Sequence, residues 1–378
     1  MSKKIKMGMI GGGSNSFIGV LHRLAAYMSE DYDFVGGVFG SRHEESLKFA
    51  QEKEIDTSRV YPDITTFVEK ENALPEGERI EAVVIVTPNN LHHAQAKELM
   101  EGGFHIICDK PITITSGEAK ELQSIANERN LVFAVTHTYT GYPMVREMKA
   151  MIEAGEIGEV QKVDAQYYQG WINASMHDAS QRSAIWRLDP KRSGISSCMG
   201  DIGVHAFNMI EYTTGMQVEK VLSDLSTMHD DVALDVDGSV LLRFKDSNVR
   251  GLVRASQIAT GEENNLQIMI YGSKGGFHWK QEEPTFLKQF VEGECERVIK
   301  PGYEHNTSFA QESTRMAPGH PEGIFDAMSF IYHGAAQAIR GESPRDGAYP
   351  TIVDGVRGMQ FIESVVESSK KGQQWISF

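Results

Sequence analysis

A strand-length apolar run, Ile5 to Ile10, stops at Gly11-Gly12-Gly13, and helical spacing follows at Ile18, Leu21, Leu24, Ala25 and Met28. A strand that turns on glycine straight into a helix is the opening unit of a parallel α/β sheet, so this junction constrains the fold more than any other feature. The alternation then continues. Phe34 to Phe39 reads as strand and Glu44 to Lys53 as helix. Ala82 to Val86 is wholly apolar, as in a strand covered on both faces, and it stops at Thr87-Pro88 because proline cannot continue the ladder. His92 to Met100 reads as helix, ended by Gly102-Gly103, before a strand at Phe104 to Cys108, a helix at Ser116 to Asn127 and a strand at Leu131 to Val135. The rhythm predicts an α/β domain with a doubly wound parallel sheet over residues 1–137.

Beyond that point the pattern changes. One more helix, Met144 to Ala154, precedes long alternating strands at Val160–Gln169, Val218–Met228, Ser239–Phe244, Val249–Ser256 and Leu266–Tyr271. Such a run predicts an α+β domain, residues 138–378, built on a large, mostly antiparallel open sheet. Helix-like stretches at Ile324–Arg340 and Gly355–Lys370 close the chain. The polar segment Trp171 to Gly194 has no clear period, and a loop that long in a compact domain is more often functional than not.

Composition excludes several classes of function. With 37 basic and 52 acidic side chains the net charge is −15, and no basic block interrupts it, so a nucleic-acid partner is not expected. Cys108, Cys198 and Cys295 lie far apart and read as free thiols of a reducing compartment. The basic N-terminus resembles the start of a signal peptide, but glycine stops its apolar stretch early. No run approaches the roughly 18 apolar residues that span a bilayer. The expectation is a cytoplasmic protein with no membrane partner and no metal site.

The string Gly11-x-Gly13-x-x-Ser16, with Ser14 and Asn15 between, lies after a strand and opens a helix, which is the context a dinucleotide site requires. The first glycine permits the tight turn, the second lets the backbone approach a pyrophosphate, and Ser16 is small enough for close helix–sheet packing. Free N–H groups and the dipole at the helix start favour the phosphates. The plain alternative is a glycine-rich turn without a ligand. At the end of the second strand stands Phe39-Gly40-Ser41-Arg42, with no carboxylate for a ribose 2′-OH. Ser41 and Arg42 can accept a 2′-phosphate, or Arg42 can stack on adenine or stay solvated, so NAD and NADP both remain open.

Lys110 follows a strand and precedes Pro111, which holds it out of helical geometry; at the carboxyl end of a parallel strand its ammonium enters the ligand crevice. Asp201 and His205 are four apart, on one face of a helix, where a carboxylate and an imidazole can hold a hydroxyl and take its proton. The alternatives are a surface lysine and a structural capping pair; a zinc site has too few partners.

These residues bring a family into view. The sequence resembles the Gfo/Idh/MocA oxidoreductases, the glucose–fructose oxidoreductase and inositol dehydrogenase family, over essentially the whole chain. The marks are the Gly11 turn, Thr87-Pro88-Asn89 with His92, Asp109-Lys110-Pro111, Gly155-Glu156-Ile157-Gly158, Asp201 to His205, His320-Pro321-Glu322-Gly323 and the closing Gly355 to Trp375 stretch. The resemblance implies an N-terminal Rossmann domain and hydride transfer between a nicotinamide cofactor and a hydroxyl-bearing carbon of a sugar, sugar derivative or cyclitol. It implies that His205 takes the hydroxyl proton, Lys110 donates a hydrogen bond to that oxygen, and Asp201 orients sugar and histidine. Cofactor contacts are implied along Thr87, Pro88, Asn89, His92, Asp109 and Lys110, with Asn89 and His92 near the nicotinamide ribose. Two positions depart from the family pattern: Asp109 stands for a glutamate, and Asn208 for an aspartate that often follows the histidine by three.

A polyol site needs hydrogen-bonding groups and an aromatic face, and the candidates are His137, Tyr139, Tyr167, Trp171, Trp186, Arg187, Asn208 and His305. Arg187 and Arg192 suggest an acidic or phosphorylated sugar, against which stand the negative charge of the chain and the nearby Asp178 and Asp189. An outer sheet face rich in Val, Leu and Met would need cover, and the resemblance implies a homodimer or homotetramer. Two other activities share the fold: a glycosidase using bound NAD transiently, and a non-catalytic sensor of sugar or dinucleotide.

Overall fold

The structure, a computed structural model, describes residues 3–14 and 16–378. The candidate Asn15 lies outside the described residues. Two compact units divide the chain: one takes the residues up to Thr138 together with Phe325–Val356, the other Tyr139–Ile324 and Arg357–Phe378.

The first unit alternates strand and helix: β1 (Ile5–Gly11), α1 (Phe17–Ser29), β2 (Tyr32–Val38), α2 (His43–Glu52), α3 (Ile64–Asn72), β3 (Ala82–Val86), α4 (Asn89–Glu101), β4 (His105–Cys108), α5 (Ser116–Arg129) and β5 (Phe133–Val135). The strands form one parallel sheet in the order β2-β1-β3-β4-β5. Every residue of β3 is buried, as its unbroken apolar run requires. The register pairs Ile10 with Val38, Gly11 with Val86, Ile85 with Cys108, and Cys108 with Val135. All five strands therefore end at one edge. The glycine turn, Phe39–Arg42, Thr87–Asn89, Asp109–Pro111 and Thr136–His137 line that edge, where ligands of open α/β sheets bind.

A single cut after residue 137 does not describe this unit, because Phe325–Val356 returns to it. The helix Ile324–Ile339 supplies Tyr332, whose hydroxyl is 2.7 Å from His22 Nδ1 and whose carbonyl accepts from Tyr32 (3.0 Å). Arg340 pairs with Asp31 at 2.6 Å. The Val135 amide donates to the Pro350 carbonyl at 2.8 Å, so the open edge of β5 is covered. Local periodicity holds no record of such a return.

The second unit begins with α6 (Pro143–Glu153) and β6 (Val160–Tyr168), then three short helices, α7 (Asn173–Met176), α8 (Ala179–Ala184) and α9 (Pro190–Ser193), and α10 (Val204–Thr214). Strands β7 (Val218–Ser226), β8 (Asp237–Phe244), β9 (Arg250–Ser256), β10 (Asn265–Gly272), β11 (Gly275–Lys280), β12 (Leu287–Val291), β13 (Arg297–Ile299) and β14 (Ile376–Ser377) join β6 in one sheet. Its order is β13-β12-β11-β10-β6-β9-β8-β7-β14, antiparallel except where β6 meets β9. α10 packs on β6, β9 and β10, over the inward rows such as Val163, Val253 and Ile268.

The outward face differs from the apolar patch expected of it. Leu222, Leu241 and Leu252 stand side by side on β7, β8 and β9. Beyond them the row turns polar: Lys162 pairs with Asp164 at 3.1 Å, Arg254 donates to Gln166 at 3.0 Å, and His278 bonds Gln267 at 2.9 Å. Among the described residues no helix is long and apolar enough to cross a membrane.

Candidate active site

The glycine turn is shaped by what a side chain would strike. Gly11 has φ +82°, and a Cβ there would lie 2.9 Å from both Thr87 Cγ2 and the Val86 carbonyl oxygen. At Gly13 it would lie 2.5 Å from the Phe39 carbonyl oxygen. Ser16 performs a different task from the close packing expected of it. Its hydroxyl accepts from the Gly19 amide at 3.0 Å, capping α1, and Ser16 is itself half-buried. Close packing is Gly19's, where a Cβ would sit 2.6 Å from Gly12 Cα. Arg23, which spacing did not mark, donates to the Gly12 carbonyl at 2.6 Å while lying over Phe49. Ser14 is exposed, 3.5 Å from Glu52 through its hydroxyl. A bare backbone cradle at a capped helix N-terminus suits a pyrophosphate.

Past β2, Ser41 is exposed and Arg42 forms an exposed ion pair with Glu45. Past β3, Thr87 donates to Gln95 at 2.6 Å, Pro88 precedes the first turn of α4, and Asn89 opens that helix half-exposed. His92, in contrast, is buried, with Nδ1 2.9 Å from the Pro111 carbonyl and Nε2 2.8 Å from the Thr87 carbonyl. A backbone carbonyl faces each ring nitrogen, and the neutral imidazole, with its single N–H, donates to one of the two, so His92 sits as a link between the β3 and β4 loops. Burial lowers its pKa, while the same carbonyls and Asp109 oppose that shift.

Asp109 accepts from the Lys110 amide at 3.1 Å and from the Thr136 hydroxyl at 2.9 Å. Its charge and the loop that carries Lys110 are thus anchored to the end of β5. The Lys110–Pro111 peptide is cis. His137, also buried at this edge, is held near pKa 3 by burial and, less strongly, by the Lys110 charge, so it is neutral at physiological pH.

In the second unit Asp201 lies in a π-helical turn, Met199–Gly203, that runs directly into α10, where His205 is the second residue. The pair thus straddles a π–α junction in place of one regular helix, a distortion often found at functional sites. Asp235, buried, holds the turn by accepting from the Ser197 amide (3.0 Å) and the Met199 amide (2.8 Å). Gln257 donates to Asp201 Oδ2 at 2.9 Å, and Arg187 Nε lies 3.0 Å from the same oxygen.

His205 is 8% exposed, and the Tyr139 ring stands edge-on to it with centroids 4.8 Å apart; Tyr167 is 6.2 Å away. The two tyrosine hydroxyls bond each other, and Tyr167 donates onward to Asn264. Asn264 also accepts from Gln169 (2.9 Å) and donates to Gln281 (2.9 Å), while Trp171 donates to Gln169 at 3.1 Å. Gln169, Gln257, Asn264 and Gln281 were not marked by the sequence; amides carry no motif. Asn208, one turn beyond His205, is buried.

The segment from Trp171 to Gly194 folds into α7, α8 and α9. Arg187 lies over Trp186 and Trp171 at 4.7 and 5.6 Å, and Arg192 over Trp186 at 5.4 Å. Asp178 and Asp189 cap α8 and α9, so the acid that pairs with Arg187 is Asp201, not either of these. His305 is exposed, and its ring contact among the described residues is with Tyr303.

Comparison with known proteins assigns the frame. Residues 5–137 match an oxidoreductase family's NAD-binding Rossmann fold, and residues 145–278 match the Gfo/Idh/MocA C-terminal domain. The chain is 30% identical over 387 residues to the uncharacterized oxidoreductase YfiI of Bacillus subtilis, covering 100% of this chain and 98% of the relative. It is 27% identical to the levoglucosan dehydrogenase of Pseudarthrobacter phenanthrenivorans over 79% of this chain and 80% of that one. A crystal structure of an inositol dehydrogenase homolog from Azotobacter vinelandii complexed with NAD+ superposes with TM-score 0.92 at 31% identity, covering 100% of this chain and 98% of that one. Matched in both domains, the chain belongs to the Gfo/Idh/MocA family of NAD-binding oxidoreductases.

Proposed function

We propose that the protein is a nicotinamide-dependent dehydrogenase acting on a hydroxyl-bearing carbon of a sugar, sugar derivative or cyclitol. The observation that carries this reading is the Asp201–His205 pair, set at a π–α junction with the carboxylate hydrogen-bonded by Gln257 and ion-paired with Arg187. The dehydrogenase and inositol dehydrogenase relatives support the substrate class. When bound, the nicotinamide dinucleotide supplies the hydride acceptor.

The roles of this chain's own residues follow from their chemistry. His205, packed against Tyr139, takes the proton of the substrate hydroxyl. Lys110 donates a hydrogen bond to that oxygen and stabilises its growing negative charge. Asp201 accepts from a neighbouring hydroxyl and orients the polyol. The indoles of Trp171 and Trp186 offer apolar faces for sugar C–H bonds. The Gly11–Ser16 turn and the α1 N-terminus hold the pyrophosphate.

We also infer self-association through the outer face of the second sheet, where Leu222, Leu241 and Leu252 form an apolar strip beside charged neighbours.

The test is nicotinamide absorbance with NAD+ and NADP+ in parallel, against a panel of aldoses, inositols and anhydrosugars. The expected result is reduction with at least one polyol, lost in Lys110→Ala and in His205→Asn. Product formation with no net reduction of either cofactor would overturn the reading in favour of a glycosidase.

A further inference from the structure

The proposed reaction needs Asp201 to point in one direction, and the second unit contains an arrangement that enforces it. Gln257 is fully buried and donates through Nε2 to Asp201 Oδ2 at 2.9 Å. Its Oε1 accepts from the Ser197 hydroxyl at 3.3 Å, and its backbone amide is tied to the Val236 carbonyl at 2.8 Å. A flipped amide would face its oxygen to the Asp201 carboxylate, so the orientation with Nε2 toward Asp201 is the one the site favours. Ser197 is fixed in turn through its amide on Asp235. A continuous buried chain, Asp235–Ser197–Gln257, therefore ends on the carboxylate of the π-turn.

Arg187 approaches the same oxygen from the opposite side in sequence. Its Nε lies 3.0 Å from Asp201 Oδ2 without the alignment of a hydrogen bond, and its guanidinium is flanked by the Trp186 and Trp171 rings. The two contacts differ in kind. Gln257 supplies a directed hydrogen bond from a rigid strand end, and Arg187 supplies charge from the segment of short helices.

We infer that Gln257 and Arg187 are positioning residues that set the orientation of the Asp201 carboxylate, with Gln257 fixing its direction and Arg187 its charge. The inference rests on the reading of Asp201 as the group that orients the polyol. It gives Gln257 and Arg187 a role that is exerted through Asp201.

The experiment compares Gln257→Met, Gln257→Glu, Arg187→Met and Arg187→Lys with the full-length wild-type protein, using a polyol that the wild type oxidises. NADH binding is followed by fluorescence, folding by thermal melts, and kcat, KM and the pH profile by absorbance. Gln257→Met is expected to lower kcat/KM about 10- to 100-fold, the equivalent of one hydrogen bond to a charged group, with NADH affinity unchanged. Gln257→Glu is nearly isosteric and places a second carboxylate against Asp201; one of the two then holds a proton, and the acid limb of kcat/KM moves up by about one pH unit or more. Arg187→Lys should restore part of what Arg187→Met loses. A folded, NADH-binding Gln257→Glu with the wild-type pH profile overturns the inference, and that outcome is independent of whether Gln257→Met folds. A wild type that oxidises no polyol overturns the underlying reading instead.

Discussion

His92 Nδ1 lies 2.9 Å from the carbonyl oxygen of Pro111, across the gap between the loops that follow β3 and β4. The other ring nitrogen reaches the Thr87 carbonyl at 2.8 Å, so one buried imidazole joins the loop that opens α4 to the loop that carries Lys110. A ring with a carbonyl at each nitrogen is a brace. It fixes where the Lys110 backbone lies before any ligand arrives.

Replacing the brace should separate Lys110's work from cofactor binding. His92→Phe keeps the ring volume and loses the imidazole's one N–H donor, and the buried carbonyl left unpaired costs about 1–3 kcal/mol. The expected outcome is a lower melting temperature and a kcat reduced more than NADH affinity, read by melts, kinetics and fluorescence titration. Equal loss of NADH affinity and kcat would show that the ring serves the dinucleotide directly.

We predict that cofactor preference responds to a surface ion pair past β2. Arg42 and Glu45 are paired where both side chains are more than half exposed, at 74% and 56%, a setting in which such pairs are weak and readily exchanged. A 2′-phosphate can therefore take the place of Glu45 on Arg42. Arg42→Ala is expected to raise KM for NADP+ about tenfold while moving that for NAD+ little, as loss of a charge-assisted contact implies. Glu45→Ala should lower KM for NADP+. Equal effects on both cofactors would mean that Arg42 does not read the ribose.

Ser16 and Gly19 divide a job that the fingerprint assigns to one residue. Gly19→Ala pushes a methyl group to 2.6 Å from Gly12 Cα and 2.7 Å from the Gly12 carbonyl oxygen, both backbone atoms that cannot turn aside. The turn itself must move, at a cost of about 1–3 kcal/mol, and dinucleotide affinity should fall with it. Ser16→Ala removes only the cap, worth about 1 kcal/mol, and should leave affinity closer to wild type. Calorimetric titration of NADH into both variants decides; a reversed ranking would return the packing role to Ser16.

Much of this was legible before the structure. The strand–glycine–helix order, the five parallel strands and the alternating strands of the second unit all follow from periods of 2 and 3.6 residues in short windows. Lys110 fell at a strand end, and Asp201 and His205 at helical spacing, for the same local reason. What could not be read is long-range. Gln257 stands 56 residues from Asp201, and Asn264 97 residues from Tyr167, so no window contains either pair. The π-turn was read as plain helix because the fifth residue in that turn changes no apolar period. Asp178 and Asp189 were read as neutralising arginines, although acids just before short helices are also the usual N-caps. The return of Phe325–Val356 to the first unit is a topological fact that hydrophobic spacing does not encode.

Buried histidines predict how the first unit responds to acid. His22 and His137 are held neutral by burial, with pKa lowered to about 4 and about 3, and His92 shifts in the same direction. A histidine whose folded pKa is depressed contributes stability that is complete above the unfolded value of about 6.5 and is lost as pH falls toward the folded pKa. For His22 that loss approaches about 3 kcal/mol by pH 4. Asp31, depressed by His333 and Arg340 against the opposing effect of burial, adds to the loss only near the bottom of this range. Asp354, raised by burial, offsets part of it there, because its protonated form suits the fold. Urea unfolding of the first unit should therefore show stability falling between pH 7 and pH 5, before carboxylates titrate. His22→Phe, which keeps the ring against Tyr332, should flatten that fall relative to wild type. A wild-type stability unchanged over the same interval would mean that these imidazoles are hydrated or charged in the folded protein.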